Sequence, residues 1–291
     1  MNPIRIVVLN VVQMIIARGF SVSPIDAVFA RGLITFDDYM TSLKVMDAVE
    51  SGAIAKPLET IEETATELLE IADEADPSQE DLDLLSQVIN EEGEAYQFDP
   101  YESSDKILSE IRGKMLRRFT RPRTQEEQDR AEILATTVHD SYRDDLINRD
   151  HTMELAILGP MVGHAEILSD GLSQVTQVPT VDEVIMVLDA PLNYTPRTAI
   201  QSWNIKVEQI MSEDMFVNPT EHYLYAHHEL LHPEEAQEIL TQLGLPKSKM
   251  PRIQQRDPVA RFHGWVRGDL IKIHRPATNA MAGEYQYRVV V

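Results

Sequence analysis

The pentapeptide at residues 228–232, HELLH, has the residue types and the spacing of a zinc peptidase site. In that chemistry two histidines bind the metal from one face of a continuous helix, and the glutamate activates a metal-bound water. Here Pro233 follows at once, and its ring would clash with the carbonyl of Glu229 inside a helix. The sequence therefore predicts that a helix begins at Pro233. A zinc metallopeptidase that uses His228, Glu229 and His232 stays open as the alternative function.

Other residues with catalytic potential form no recognisable constellation. The chain contains no cysteine, which excludes a disulfide scaffold, a thiolate zinc site and a cysteine nucleophile. It also lacks a P-loop, a Gly-x-Ser-x-Gly elbow and the paired aspartates of a two-metal site. Residues 267–269 match an adhesion tripeptide, but turn geometry alone explains Gly268. We therefore expect no catalytic residue, no metal and no cofactor.

The final 70 residues predict a compact module of short helices and strands. A proline at the first helical position marks each helix start, and a glycine marks each helix end. Two helices are predicted in this way, from Pro233 to Gly244 and from Pro258, capped by Asp257, to Gly264, followed by strands over residues 270–274 and 285–291. The last strand alternates between apolar and polar residues, as a half-buried strand does.

The upstream residues predict a mixture of helices and strands. The apolar stretch from Ile4 to Ala17 is too short to span a membrane and is interrupted by polar residues, so a buried helix ending at Gly19 is expected. Hydrophobic periodicity and turn residues extend the prediction along the chain. It comprises helices at 36–49, on either side of Asp76-Pro77, over much of 107–150 and from Thr195 to about Ile210, strands at 153–158 and 183–188, and extended structure at 215–217.

The net charge of −22 at pH 7 argues against an autonomous nucleic-acid-binding protein, but this charge is concentrated in one zone. Residues 57–105 contain 17 acidic and no basic residues, which leaves only −5 for the remainder. We interpret this acidic zone as a solvated surface insertion, with a docking surface for a basic transcription or packaging factor as the alternative. The basic run from Arg112 to Arg123 is interpreted as a solvated helix face that pairs with the acidic zone, with a phosphate-contacting patch as its alternative.

Several segments near the C-terminus match one known family in order and with almost no gaps. They are residues 221–224 (EHYL), 228–231 (HELL), 250–253 (MPRI), 257–262 (DPVARF), 267–273 (RGDLIKI) and 283–291. In these segments the chain resembles the assembly domain of the fifth common subunit of eukaryotic-type DNA-directed RNA polymerases, which the archaeal enzymes also contain. The family places the histidine equivalent to His228 in an extended connection. More faintly, residues 4–20 and 184–197 resemble the jaw domain of the same subunit.

The resemblance implies a non-catalytic polymerase subunit that docks on the largest subunit and contacts downstream DNA. Thr195-Pro196 would present a helix N-terminus, which together with Arg197 suits a phosphate. The implied DNA contacts are Tyr194, Thr195, Pro196 and Arg197. The implied subunit interface comprises His228, Pro251, Arg252, Asp257, Pro258, Arg261, Arg267, Gly268, Lys272, Arg275 and Pro276. Other polymerase subunits and duplex DNA are thus the expected partners, with no membrane.

The expected fold class is α+β in two domains. Residues 1–220 would form an α/β jaw-like domain with a helical acidic insertion at about 50–150, and residues 221–291 would form a small α+β assembly domain. Residues 50–150 have no counterpart in the family, and Ala226-His227 replaces a typical Pro-Lys. These departures suggest a divergent version of the subunit, such as that of a large DNA virus. We expect an intracellular location: the nucleus for a cellular protein, or a virus factory or virion for a viral one.

Overall fold

The structure is a computed structural model that describes residues 3–50, 58–74, 77–95, 115–136, 140–158, 181–192, 200, 205–275 and 285–291. It divides into an N-terminal unit, Met1–Phe216, and a C-terminal unit, Val217–Val291. Each unit combines helices with a four-stranded sheet, so the predicted α+β class is confirmed. Within the described ranges, no helix combines the length and apolar character needed to cross a membrane.

Among the described residues, five helices precede the first strand of the N-terminal unit. The apolar N-terminal stretch is a buried helix, as predicted, and Gly19 follows it in the left-handed conformation with φ 80°. A capping box of Ser23 and Asp26 begins the second helix. The five helices are α1 (Pro3–Ala17), α2 (Pro24–Ala30), α3 (Phe36–Glu50), α4 (Leu58–Glu74) and α5 (Gln79–Ala95).

The helices α4 and α5 confirm the two amphipathic helices predicted for the acidic zone. Leu68 of α4 and Leu85 and Ile89 of α5 are buried, while the acidic side chains lie mostly toward solvent. The pair packs on α2 and α3 through these apolar faces. This zone is therefore joined to the N-terminal core by ordinary hydrophobic burial, and its charge stays hydrated.

The rest of the N-terminal unit is built around a sheet. Its four strands lie in the order β1-β2-β3-β4, with β1 antiparallel to β2 and the remaining pairs parallel. The strands are β1 (Met115–Arg121), β2 (His151–Leu158), β3 (Glu183–Leu188) and β4 (Lys206–Met211), and the helices α6 (Gln125–Ala135) and α7 (Asp140–Asn148) connect β1 to β2. The predictions of β2, of β3 and of helix within 125–148 are confirmed.

Three predictions in this unit were wrong. Residues 115–121 form a strand in which successive side chains are alternately buried and exposed, as Phe119 and Arg118 are. The many charged residues of this segment obscured the alternation in the sequence. Residues 206–211 form β4 and do not continue a helix, because pairing with β3 over six residues overrides the helical period. The prediction of extended structure at 215–217 was wrong at its start, because Met215 ends a 3₁₀ turn that begins at Ser212 and Phe216 has helical angles of φ −71° and ψ −20°.

The cations of β1 and the residues after it pair with carboxylates outside the acidic zone, so the predicted pairing with that zone was wrong. Arg117 forms a two-pronged ion pair with Asp26, with 2.8 Å between Nη2 and Oδ2, and Arg121 pairs with Glu127. Arg112 and Lys114 of the run lie outside the described residues. These contacts use the arginines to fix the sheet to its flanking helices, which leaves them little freedom to contact a phosphate.

Asp26 is the centre of a buried polar cluster between α2, α3 and β1. Its carboxylate is fully buried and accepts hydrogen bonds from Arg117 and from the Tyr39 hydroxyl, the latter at 2.8 Å. Burial alone would raise the pKa of Asp26, but the hydrogen bonds and the charge of Arg117 lower it overall. Burial beside this carboxylate raises the pKa of Tyr39 well above its ordinary value.

A second buried cluster lies at the start of β3. The His151 ring is within 3.4 Å of both the Glu183 and the Glu127 carboxylates, and Lys206 Nζ lies 2.7 Å from Glu183 Oε1. Burial would raise the pKa of Glu183, but the His151 hydrogen bond and the Lys206 charge lower it to about 2. The folded state therefore favours ionised Glu183 strongly.

The C-terminal unit has a sheet of four short strands in the order β5-β7-β8-β6, with a helix on each face. Its strands are β5 (His227–Leu230), β6 (Arg252–Ile253), β7 (Leu270–His274) and β8 (Tyr285–Val290), and its helices are α8 (Pro233–Leu243) and α9 (Pro258–His263). Leu240 of α8 packs with Leu270 and Val289 on one face, and Ala260 of α9 packs with Ile271 and Val290 on the other. All four predicted elements are confirmed.

Asp26→Asn is expected to destabilise the N-terminal unit by about 3 kcal/mol, because it leaves the charge of Arg117 uncompensated in a mostly buried position. Asp37→Asn is the matched control, since Asp37 forms an exposed ion pair with Arg5, and it should cost about 0.5 kcal/mol or less. Hydrogen exchange of β1 peptides across a urea series measures both changes. Equal losses in the two variants would contradict a structural role for the buried pair.

The pKa of Glu183 predicts a specific pH dependence of stability. Because the folded pKa is about 2 against an ordinary value of 4.5, its contribution is complete above pH 4.5 and falls away as the pH drops toward 2. The difference in unfolding free energy between the wild type and Glu183→Gln should narrow by roughly 2 kcal/mol from about pH 6 to about pH 3. The control Ile185→Val removes a buried methyl group and no titrating group, so it should lower the unfolding free energy equally at both pH values. A constant difference for Glu183→Gln would contradict the role given to this cluster.

Candidate functional site

The HELLH residues do not form a zinc site. His228 and Glu229 belong to β5, where successive side chains point to opposite faces, and His232 is the cap residue of α8. Pro233 occupies the first position of that helix, as its steric restriction predicts. No group of three or more His, Cys, Asp or Glu side chains suited to a metal occurs among the described residues. The metallopeptidase alternative was therefore wrong.

Glu229 instead joins two neighbouring strands. Its carboxylate lies 3.0 Å from Nε2 of His274 and 3.4 Å from Nζ of Lys272, and both of these residues belong to β7. The hydrogen bonds from His274 and Lys272 lower the pKa of Glu229, so the carboxylate is ionised at neutral pH. The glutamate that would be a general base in a peptidase is committed here to cross-strand pairing.

His228 packs on the other face of the sheet, against aromatic residues. Its ring lies 5.4 Å from the Tyr225 ring and 6.1 Å from the Trp265 ring, measured between centroids. Burial lowers the pKa of His228, against the opposing effects of the Ala226 carbonyl and the charge of Asp257. The imidazole is therefore neutral at pH 7 and acts as part of the packing.

Four of the predicted interface residues lie around the end of β8. Arg252 is exposed on the edge strand β6 and pairs with Val289, and exposed Pro251 precedes it. On the other side of β8, exposed Arg267 and half-buried Gly268 form a turn that requires a φ of 97° at the glycine, a conformation that other residues rarely adopt. The structure thus brings Pro251, Arg252, Arg267 and Gly268 to one end of the sheet.

The other predicted interface residues are distributed more widely. Asp257 accepts a hydrogen bond from the Val259 amide as the cap of α9, Pro258 begins that helix, and half-buried Arg261 lies in its last turn. Lys272 lies over the Tyr285 ring at 4.7 Å, and Arg275 is exposed and donates to Gln286. Pro276 lies outside the described residues, as do the predicted DNA contacts Tyr194, Thr195, Pro196 and Arg197.

Two exposed cations near the end of β8 were missed in the sequence analysis. Lys247 donates from Nζ to the Gly268 carbonyl at 2.9 Å, and Arg256 lies in the turn that follows β6. The signal that could have found them was the distribution of charge within the unit. Residues 217–246 contain no Lys or Arg, whereas residues 247–291 contain nine.

Comparison with known proteins identifies the C-terminal unit. The family model described as "RNA polymerase Rpb5, C-terminal domain" matches residues 217–290. The subunit rpabc1 of RNA polymerases I, II and III from Dictyostelium discoideum is 44% identical over 92 residues, which is 31% of this chain and 46% of that relative. The RPABC1 subunit from Caenorhabditis elegans is 36% identical over 123 residues, 41% of this chain and 57% of that relative. The chain thus spans about half the length of these eukaryotic relatives.

An archaeal relative is covered almost completely. The RNA polymerase subunit Rpo5 of Sulfurisphaera tokodaii is 38% identical over 81 residues, 28% of this chain and 94% of that relative. The C. elegans match is longer than the C-terminal unit, so it also reaches into the N-terminal unit. Because this relative is 38% identical and almost completely covered, the chain belongs to the Rpb5 family of RNA polymerase subunits.

Proposed function

We propose that this chain is a non-catalytic subunit of a multisubunit DNA-directed RNA polymerase and that its C-terminal unit docks on the largest subunit. The observation that carries the proposal is the match of residues 217–290 to the Rpb5 C-terminal domain, together with 94% coverage of archaeal Rpo5. The 81 residues aligned with that archaeal relative are close in number to the residues of the C-terminal unit, which favours this unit as the docking module.

The chemistry of the C-terminal unit is consistent with docking, and its described residues include no recognised catalytic arrangement. Its histidine and glutamate side chains at 228 and 229 are used in packing and in cross-strand pairing. Its exposed cations and turns lie on backbone that is held by short strands or by hydrogen bonds such as that from the Gly268 amide to the Val290 carbonyl. The backbone of the docking surface is therefore ordered before binding, which reduces the entropic cost of binding.

The N-terminal unit is proposed to face duplex DNA ahead of the catalytic centre, through Tyr194, Thr195, Pro196 and Arg197. The sequence supports this, because it predicts a helix that starts at Thr-Pro and is followed by an arginine, a combination that suits a phosphate. Such contacts would position DNA without distinguishing its sequence. With a net charge of −22, the isolated chain should bind DNA weakly and depend on the polymerase to bring it to the duplex. The compartment would be that of the polymerase.

Docking through the C-terminal unit is tested with two matched core variants. Ile271 of β7 and Ile185 of β3 are both fully buried in central strands, one in each unit. Ile271→Asp should abolish capture of the largest subunit by the tagged, coexpressed chain, because a buried charge disrupts the sheet that carries the docking surface. Ile185→Asp should retain capture in the soluble fraction. Failure of the wild-type chain to capture any large polymerase subunit would refute the proposed function.

DNA contact is tested in the assembled polymerase with Arg197→Ala. Losing one phosphate contact should reduce the slope of log affinity against log salt for downstream duplex DNA by about one. The control is Arg118→Ala, which removes an exposed arginine paired with Glu154 and should leave the slope unchanged. Capture of the largest subunit should be equal in both variants. An unchanged slope for Arg197→Ala would contradict its role as a phosphate contact.

A further inference from the structure

Charge within the C-terminal unit is sharply divided along the chain. Residues 217–246 contain five acidic and no basic residues, whereas residues 247–291 contain nine basic and three acidic residues. The acidic part includes the exposed Glu234, Glu235 and Glu238 on α8. Because the net charge of the chain is −22, an excess of cations on one part of its surface is unusual and indicates a binding role for those cations.

Four of these cations surround the end of β8. Lys247 contacts the turn that contains Arg267 through its bond to the Gly268 carbonyl, and the amide of Gly268 donates to Val290. On the opposite side of β8, Arg252 pairs with Val289, and Arg256 follows in the next turn. Neighbouring strands lie about 4.8 Å apart, so the two sides of β8 are separated by only about 10 Å. We name Lys247, Arg252, Arg256 and Arg267 the basic surface.

The four side chains are exposed, and no described carboxylate neutralises them. Within the described residues none of them forms an ion pair with a carboxylate. The two nearby carboxylates have structural roles, because Asp257 accepts the Val259 amide and Asp269 accepts the Val266 amide. The basic surface therefore retains its charge and can pair with carboxylates supplied from outside.

Apolar side chains lie beside these cations. Leu245 is 40% exposed two residues before Lys247, and Val266 is 44% exposed next to Arg267. A phosphate backbone offers only charged and sugar groups at its edge, whereas an acidic protein segment can supply carboxylates and apolar side chains together. The combination of cations with exposed leucine and valine therefore favours a protein partner over nucleic acid.

We propose that the basic surface, with Leu245 and Val266, binds an acidic segment of another polypeptide whose apolar residues cover the exposed leucine and valine. This inference rests on the proposed docking in a polymerase and deepens it, since it gives the chemistry of the partner at that contact. The carboxylates of the partner pair with Arg252, Arg256, Arg267 and Lys247 at the rim. Such rim pairs steer association and fix its register.

The test uses the full chain and a defined probe. A short peptide of alternating glutamates and leucines is titrated into the isotopically labelled protein, with a peptide of glutamines and leucines as the matched probe control. Amide resonances of residues 245–256 and 266–269 should shift with the acidic peptide and not with the glutamine peptide. Arg252→Gln/Arg267→Gln should lower the affinity for the acidic peptide roughly fivefold, because two exposed charge pairs are lost.

A second double variant controls for net charge. Arg31→Gln/Arg130→Gln lowers the net charge by the same two units at exposed positions of the N-terminal unit, and it should leave peptide binding unchanged. Equal weakening in both double variants would overturn the proposal in favour of a general charge effect. Equal shifts with the glutamine peptide, or tighter binding of a duplex DNA oligonucleotide than of the acidic peptide at the same residues, would also overturn it.

Capture experiments separate this inference from the proposed function. Both the proposed function and the inference are supported by one combination of results. The wild-type chain captures the largest polymerase subunit, and Arg252→Gln/Arg267→Gln loses this capture as sodium chloride is raised. The control double variant retains the capture. If all variants capture equally at every salt concentration, the inference fails and the proposed function stands. If peptide binding behaves as expected but no polymerase subunit is captured, the proposed function fails and the surface binds a different acidic partner.

Discussion

Pro233 is the constraint on which the functional identity of this chain depends. Its ring cannot follow Glu229 within a helix, so β5 must end before it and α8 must begin at it. That one boundary puts His228 and Glu229 on opposite faces of a strand and puts His232 at a helix cap. The same five residues that could bind zinc on a helix therefore become a packing residue, a cross-strand ion-pair partner and a cap. The side chains alone are compatible with zinc binding or with a structural role, and the steric restriction at Pro233 excludes zinc binding.

Buried carboxylates organise the N-terminal unit in a comparable way. Asp26 connects the helices α2 and α3 to the edge strand β1, and Glu183 connects the start of β3 to β2 and β4. Each would be costly to bury alone and is stabilised by a cation and further hydrogen bonds. These networks give the sheet a defined position against its helices, because each carboxylate needs its partners at short distances from different elements.

Local signals in the sequence predict much of this fold, and their failures have a common cause. Caps at Pro233, Gly244 and Gly264 and the apolar run of β3 are determined by neighbouring residues, so the corresponding elements are predicted well. The strands β1 and β4 lie at the edges of their sheet and carry many charged or polar residues, so only pairing with β2 and β3 reveals them. For the candidate site, family resemblance indicates Arg252 and Arg267, but Lys247 joins them only through a contact with a turn 21 residues later.

The contrast between the two units suggests how one very acidic chain can serve in a nucleic-acid-copying assembly. In the N-terminal unit the described arginines of β1 and the following loop are paired with carboxylates, so their charge is used in folding. In the C-terminal unit the four cations of the basic surface have no such partners among the described residues. A cation that pairs with a carboxylate of the same chain stabilises the fold. A cation without such a pair keeps its charge, which can then pair with a carboxylate of another molecule. Because exposed ion pairs contribute little to folding, leaving these four cations unpaired costs little folding free energy, and their charge would orient the partner in the proposed interaction.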